Sequence, residues 1–156
     1  SMSYRYDNVI TLRTFSKAYG LAGARIGYGF AHDSLIQNLM KVKVPFEPSL
    51  TAQAAGKAAL DDTEFLTETL KINQAGMNYL RKGFDALNIV HVPSAATFIT
   101  TVWDSEERAS NLTQSLLEKG VIVRKLTGFG WPNCIRISIG LESENQKCIE
   151  SLKEIL

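Results

Sequence analysis

Residues 14–28, with the sequence TFSKAYGLAGARIGY, constrain the fold of this chain more than any other stretch. Hydrophobic residues precede the stretch at positions 9–12 and resume at positions 26–30. This pattern predicts two strands, at 8–12 and 25–30, joined by a glycine-containing connection. Because functional side chains collect in such connections, Lys17 becomes the first candidate functional residue.

The residues around Lys17 favour binding of an anion next to an amine. Thr14 and Ser16 supply hydroxyl donors, and Arg25 supplies a planar guanidinium that can make paired hydrogen bonds. The glycines allow the backbone to approach a ligand closely. A phosphorylated carbonyl compound would suit both the amine and the donors. On these residues alone, Lys17 as a solvated loop lysine and Arg25 as a charge at a strand edge remain open alternatives.

The same run resembles the cofactor-binding lysine segment of the fold-type I, pyridoxal-phosphate-dependent aminotransferases, most closely the histidinol-phosphate aminotransferase branch. The resemblance implies that Lys17 is the catalytic residue and binds pyridoxal phosphate covalently. It also implies that Thr14, Ser16 and Arg25 bind the cofactor phosphate. The spacing from Lys17 to Arg25 matches the family.

The second half of the chain predicts strand, helix, strand, strand and helix. The strands are expected at residues 97–103, 121–124 and 134–139, and the first helix is expected to begin at Asp104 and to end before Gly120. A right-handed crossover makes the first two strands parallel and leaves the third antiparallel between them. The expected unit is a small α+β domain with a three-stranded sheet.

Arg136 is the second candidate functional residue. In the segment IRISI, at residues 135–139, the isoleucines share one face of a strand, so Arg136 and Ser138 lie on the other. A strand arginine can bind a carboxylate or phosphate rigidly, although an exposed structural arginine remains an alternative. The segment CIRISIG resembles the one whose arginine binds the substrate carboxylate in the family. Arg124, in VIVRKL, resembles a second substrate-binding arginine of the histidinol-phosphate branch.

Helices are expected to connect the two strand-containing parts. Ser49 can cap an alanine-rich helix through Leu60, and a longer helix is expected from Asp61 to about Leu87. Gly76 and Gly83 within it indicate close contacts or a bend. The resemblance implies an α/β fold class, specifically the C-terminal portion of the PLP-transferase fold. Its expected parts are a piece of the large domain at 3–48, linking helices at 49–88 and the small domain at 89–156.

Composition restricts the classes of partner. With 45% hydrophobic and 21% charged residues the chain is typical of soluble globular proteins, and a net charge of +1 gives no reason to expect nucleic acid. No apolar run approaches the ~20 residues of a membrane helix, so we expect a cytoplasmic protein. Cys134 and Cys148 have no paired spacing, and His32 and His91 lack metal-ligand spacing. We expect neither disulfides nor a metal site.

The resemblance implies transamination of an amino acid or amino-alcohol phosphate, with histidinol phosphate and glutamate or 2-oxoglutarate favoured. The resemblance also implies a homodimer, with further cofactor-binding groups upstream of the lysine segment. We therefore expect the chain to be truncated and inactive alone. The alternatives are an aromatic aminotransferase or phosphothreonine decarboxylase of the same branch, or a non-catalytic structural fragment that self-associates. Exposed strand edges predict self-association or disorder near residues 1–30.

Overall fold

The computed structural model describes residues 2–156. The chain divides into two compact units, one ending at Thr69 and the other running from Leu70 to Leu156. The finer division into a large-domain piece, linking helices and a small domain stays a prediction.

The first unit contains a two-stranded antiparallel sheet followed by helices. Its elements are β1 (Thr11–Thr14), β2 (Gly27–Phe30), α1 (Asp33–Val42), α2 (Leu50–Asp61) and the beginning of α3 (Thr63–Ala86). The sequence predicted the two strands on either side of Lys17, but the first begins at Thr11 and not at residue 8. Because β2 ends at Phe30, which is opposite Thr11, β2 offers residues 8–10 no partner.

The helix N-termini follow the expected capping chemistry with shifts of one residue. Ser49 caps α2 as predicted, because its Oγ accepts a hydrogen bond from the backbone N–H three residues later at 3.2 Å. The cap of α3 is Asp62 and not Asp61, and the cap of the next helix is Ser105 and not Asp104. In both cases two adjacent residues carry a side-chain oxygen that can accept the capping hydrogen bond, so backbone geometry decides which of them caps the helix.

The second unit packs two helices, together with α3, against an antiparallel sheet. Its further elements are β3 (His91–Val92), β4 (Phe98–Val102), α4 (Glu106–Glu118), β5 (Arg124–Leu126), β6 (Trp131–Ser138) and α5 (Glu142–Ile155). The strand order is β3-β4-β6-β5, with every neighbouring pair antiparallel. The last strand therefore lies between the two earlier ones, as the crossover argument predicted.

Two details of the predicted sheet were wrong. The sheet has four strands and not three, because His91–Val92 pairs with β4; a two-residue strand is too short to produce an alternating pattern in the sequence. The strand expected at 121–124 is shifted to Arg124–Leu126. Val121 instead bonds back to the end of α4, where its N–H donates to the Leu116 carbonyl at 2.8 Å.

The hydrophobic core of the second unit lies between one face of the sheet and the three helices. Leu80 and Phe84 of α3, Ile99 and Ile135 of the sheet, and Leu152 of α5 are all fully buried. The isoleucine face of β6 is thus the core face, as the alternation predicted, and the opposite face carries Arg136.

The two glycines of α3 mark close contacts, as the sequence indicated. A Cβ atom added at Gly76 or at Gly83 would lie 2.5 Å from an isoleucine side chain of the same unit, Ile139 or Ile149 respectively. Only a residue without a side chain allows α3 to approach these residues so closely.

Candidate functional site

The connection between β1 and β2 is a closed, hydrogen-bonded turn that exposes Lys17. Phe15 is 3% exposed, donates its N–H to the Ile26 carbonyl at 3.3 Å and accepts from the Leu21 N–H at 2.9 Å. The Lys17 carbonyl accepts from the Gly20 N–H at 2.9 Å. The buried phenylalanine and these bonds hold the backbone of the turn, so the lysine is presented from a defined structure.

The ammonium group of Lys17 is available to a ligand. The residue is exposed, and within residues 2–156 its side chain has no hydrogen bond or ion pair. A lysine that serves a fold usually covers apolar surface with its stem or pairs with a carboxylate. No carboxylate pairs with Lys17 in the described part of the chain.

Side chains that could donate hydrogen bonds to a phosphate lie at both ends of the same connection. Thr14 pairs with Gly27 in the sheet, which brings the segment that contains Ser16 next to the segment that contains Arg25. The Thr14 Oγ1 accepts from the Ser16 N–H at 3.0 Å, so its own O–H remains able to donate. The Ser16 hydroxyl is on a half-buried residue. All four residues predicted to bind the cofactor therefore belong to one folded turn.

Arg25 has an unusual backbone conformation. Its φ of 51° lies in the left-handed region, and one Nη1–H donates to the Ala22 carbonyl at 2.8 Å. A non-glycine residue in this conformation costs on the order of 1 kcal/mol, and such strain is concentrated at functional sites. Arg25 is an exposed residue. The two hydroxyls and the guanidinium suit the phosphate of pyridoxal phosphate as hydrogen-bond donors. The amine of Lys17 suits its carbonyl carbon as a nucleophile.

The second unit places Arg124 and Arg136 directly opposite each other. They are Cα partners on the neighbouring antiparallel strands β5 and β6, so their side chains leave the same sheet face with Cβ atoms ~5 Å apart. Like charges in this position oppose strand pairing. An anion bound by both guanidiniums would remove that repulsion.

Each of the two guanidiniums lies beside an aromatic ring. The Cζ of Arg136 lies 5.1 Å from the centre of the Phe98 ring, and the Cζ of Arg124 lies 5.9 Å from that of Phe129. An aromatic ring can orient a guanidinium without consuming its N–H groups. In addition, the Nε of Arg136 is buried and has no hydrogen-bond partner within residues 2–156. A buried donor without a partner requires an explanation, and an unfavourable contact kept at a functional site is one.

Sequence reasoning missed the aromatic supports and the adjacency of the arginines. Phe129 is 64% exposed. The signal available in the sequence was the position of this aromatic residue between Gly128 and Gly130. Phe98 gave none, because it resembles an ordinary strand residue.

Cys134 and Cys148 are buried free thiols, and burial raises the pKa of Cys148 to about 11, which disfavours the reactive thiolate. Across residues 2–156, the His, Cys, Asp and Glu side chains form no group of three that could hold a metal ion. Over the same residues, every helix is too short or too polar to cross a bilayer.

Comparison with known proteins identifies close relatives in sequence. The family described as "Aminotransferase class I and II" matches residues 3–152. Histidinol-phosphate aminotransferase 1 of Nitrosococcus oceani is 43% identical over 152 residues, which are 97% of this chain and 40% of that protein. Histidinol-phosphate aminotransferase 2 of Ralstonia nicotianae is 44% identical over 97% of this chain and 41% of its own length. The chain thus spans about two-fifths of the length of these relatives.

Solved structures agree with the fold. Histidinol-phosphate aminotransferase from Sinorhizobium meliloti, in complex with pyridoxal-5'-phosphate, matches with a TM-score of 0.81 and 33% identity over 96% of this chain and 42% of that one. The histidinol-phosphate aminotransferase of Clostridium acetobutylicum shares the fold with a TM-score of 0.89 at 20% identity, over 98% of this chain and 47% of that one. The expected fold class, the C-terminal portion of the PLP-transferase fold, is confirmed, and the chain belongs to the aminotransferase class I and II family.

Proposed function

We propose that this chain carries the cofactor lysine and the substrate-binding arginines of a pyridoxal-phosphate-dependent aminotransferase. The observation that carries the proposal is the exposed, unpaired Lys17 in the same folded turn as Thr14, Ser16 and Arg25. Membership of the family supports it.

The roles follow from the chemistry of each side chain. Thr14, Ser16 and Arg25 bind the cofactor phosphate by donating hydrogen bonds from two hydroxyls and a guanidinium. Lys17 would hold the cofactor covalently, and once the substrate amine has displaced it, its freed amine would take and return the proton at the substrate α-carbon. When bound, pyridoxal phosphate supplies the electron sink that makes this proton acidic.

The favoured substrates are histidinol phosphate and glutamate, with 2-oxoglutarate as the corresponding acceptor. Arg124 and Arg136 would bind the phosphate of one substrate and the carboxylate of the other at different stages, because a guanidinium fork suits both anions. The names of the relatives support this choice over an aromatic amino acid or phosphothreonine.

The complete reaction is proposed for a protein of the length of the relatives. Since the chain spans about two-fifths of them, we propose that the 156-residue chain alone binds the cofactor weakly and does not transaminate. The homodimer expected from the resemblance is part of the same proposal.

A second candidate is a non-catalytic fragment that self-associates, and apolar exposure in the first unit favours it. Leu12 on β1 is 71% exposed and Phe46 after α1 is 99% exposed. Sedimentation over a range of concentrations tests this candidate. A concentration-dependent increase in mass that Leu12→Lys abolishes would support it, and a monomer at every concentration would contradict it.

The cofactor proposal is tested by trapping the lysine adduct. The chain is mixed with stoichiometric pyridoxal phosphate, reduced with borohydride and mapped by peptide mass spectrometry. We expect Lys17 to carry most of the label, because it shares its turn with Thr14, Ser16 and Arg25. Arg25→Met should reduce this labelling about tenfold, which corresponds to the ~1.4 kcal/mol of one charge-assisted contact. Lys41→Ala, on the exposed face of α1, is the matched control and should leave the labelling of Lys17 unchanged. Equal labelling of Lys17 and Lys41 in the unmodified chain would contradict the proposal.

The substrate proposal is tested by titrating the chain with L-histidinol phosphate and L-histidinol. We expect only the phosphorylated compound to shift the side-chain Nε–H resonances of Arg124 and Arg136 in NMR spectra. A larger response to O-phospho-L-threonine or to L-phenylalanine would instead favour the decarboxylase or the aromatic aminotransferase.

A further inference from the structure

Lys125 connects the short strand β5 to helix α4. Its Nζ donates to the Ser110 Oγ at 2.5 Å and lies 3.2 Å from the Glu106 Oε1. The Ser110 hydroxyl donates its own proton to the Glu106 carbonyl at 2.8 Å, which leaves an oxygen lone pair for the lysine. The Lys125 side chain is only 27% exposed. This connection between Lys125, Ser110 and Glu106 is called the β5 tether below.

The tether lies on the sheet face opposite the substrate arginines. Side chains alternate along a strand, so Lys125 points towards α4 while the preceding residue, Arg124, points to the other face. The two residues share one backbone segment. The contacts that hold Lys125 in place therefore also fix the backbone position from which the Arg124 side chain extends.

β5 has little else to hold it in register. It is three residues long and lies at the edge of the sheet, and its pairing with β6 shifts between Lys125 and Leu126. Its first residue, Arg124, is opposite a like charge on Arg136, which opposes pairing at that point. A short edge strand with an irregular ladder is weakly specified in register.

We propose that Lys125 is a positioning residue for the substrate arginines. Through Glu106 and Ser110 it holds β5 against α4, and this keeps Arg124 opposite Arg136 so that both guanidiniums can contact one anionic group. The inference rests on the proposed substrate-binding role of Arg124 and Arg136. It assigns to Lys125 no contact with the substrate.

An isolated salt bridge between exposed residues usually contributes little, so the tether needs a matched comparison. Lys119 supplies it, because its Nζ pairs with the Glu154 carboxylate on α5, with 37% and 65% of the two side chains exposed. Both pairs connect elements of the same unit. Only the Lys125 pair adjoins an arginine of the proposed site.

The test measures the affinity of the 156-residue chain for inorganic phosphate at constant ionic strength, from the NMR shift of the Arg136 Nε–H. We expect Lys125→Met to weaken phosphate binding about five- to tenfold, and Glu106→Gln to weaken it in the same direction. Lys125→Arg, which retains the charge and the reach, should restore most of the affinity. Lys119→Met should leave the affinity unchanged even where it lowers the melting temperature equally, which a merely stabilising role of Lys125 would not explain.

A double-mutant cycle shows whether the effect passes through Arg124. In the Arg124→Met background, Lys125→Met should cause no further loss of phosphate affinity, because the residue that it positions is already absent. Equal losses in both backgrounds would overturn the inference. So would a Lys125→Met variant that binds phosphate as the unmodified chain does, and in that case the arginine site itself would stand. If the unmodified chain showed no response to phosphate, the proposed role of the arginines would fail and the inference with it.

Discussion

Arg136→Met should stabilise the second unit while it abolishes anion binding. The substitution keeps most of the aliphatic length of the side chain and removes the guanidinium. In the absence of its charged ligand, a binding site contains groups that lower the stability of the folded state. Arg136 has two such features, the buried Nε without a partner and the like charge of Arg124 on the neighbouring strand.

The expected magnitude follows from three contributions. Removing a buried, unsatisfied N–H donor gains ~1–3 kcal/mol. Removing the opposing like charge gains ~0.2–1 kcal/mol. Loss of the contact between the guanidinium and the Phe98 ring costs ~0.5–1 kcal/mol. The gains exceed the loss by ~0.2–3.5 kcal/mol, so we expect the free energy of unfolding to rise by an amount on the order of 1 kcal/mol.

Urea denaturation followed by circular dichroism measures this change, and a thermal scan gives a second reading. For a cooperative unit of roughly 60–100 residues, ~1 kcal/mol raises the melting temperature by about 4–8 °C. Arg124→Met is the matched control. Arg124 is exposed, so its removal relieves the same repulsion but no buried donor, and we expect a change within ~0.5 kcal/mol.

A loss of 1 kcal/mol or more in Arg136→Met would refute the reasoning. It would mean that the contact with Phe98 and the packing of the side chain outweigh the unsatisfied donor. Arg136 would then be a structural residue, and the anion proposal would lose its strongest observation.

Two further predictions concern the core of the second unit. Because burial raises the pKa of Cys148 from 9.0 to about 11, the folded chain keeps a thiol proton that the unfolded chain loses. The resulting stabilisation of the folded state is complete below pH 9 and is lost as the pH rises through 11. Between pH 8 and pH 10.5 the urea midpoint should therefore fall less in Cys148→Ala than in the unmodified chain. Parallel plots of midpoint against pH for the two chains would contradict this. Gly83→Ala should destabilise the chain by ~1–3 kcal/mol, because the new Cβ would lie 2.5 Å from the Ile149 Cδ1. The cost of this overlap exceeds the ~1 kcal/mol that alanine gains over glycine in helix propensity. Adding Ile149→Val, which removes that atom, should recover part of the loss in urea denaturation, and a Gly83→Ala chain as stable as the original would disprove the close contact.

The sequence alone was sufficient for features that depend on local periodicity. Alternation along β6 predicted that Ile135 and Ile137 face the core and that Arg136 faces away, because successive side chains of a strand leave opposite faces. The apolar runs on either side of residues 14–28 likewise predicted a connection that carries Lys17. The position of β6 between β4 and β5 followed from the handedness of crossovers.

Tertiary structure decided what depends on pairing between distant residues. The sequence placed Arg124 on a strand that was expected to end there, whereas the strand begins there, because the end of α4 holds Val121 and the ladder shifts at Lys125. That register brings Arg124 opposite Arg136, and no local pattern encodes it. The two-residue strand His91–Val92 was missed for the same reason, since its only evidence is its partner on β4. Side-chain alternation is a property of one segment, but a paired site is a property of two, and only the folded chain brings them together.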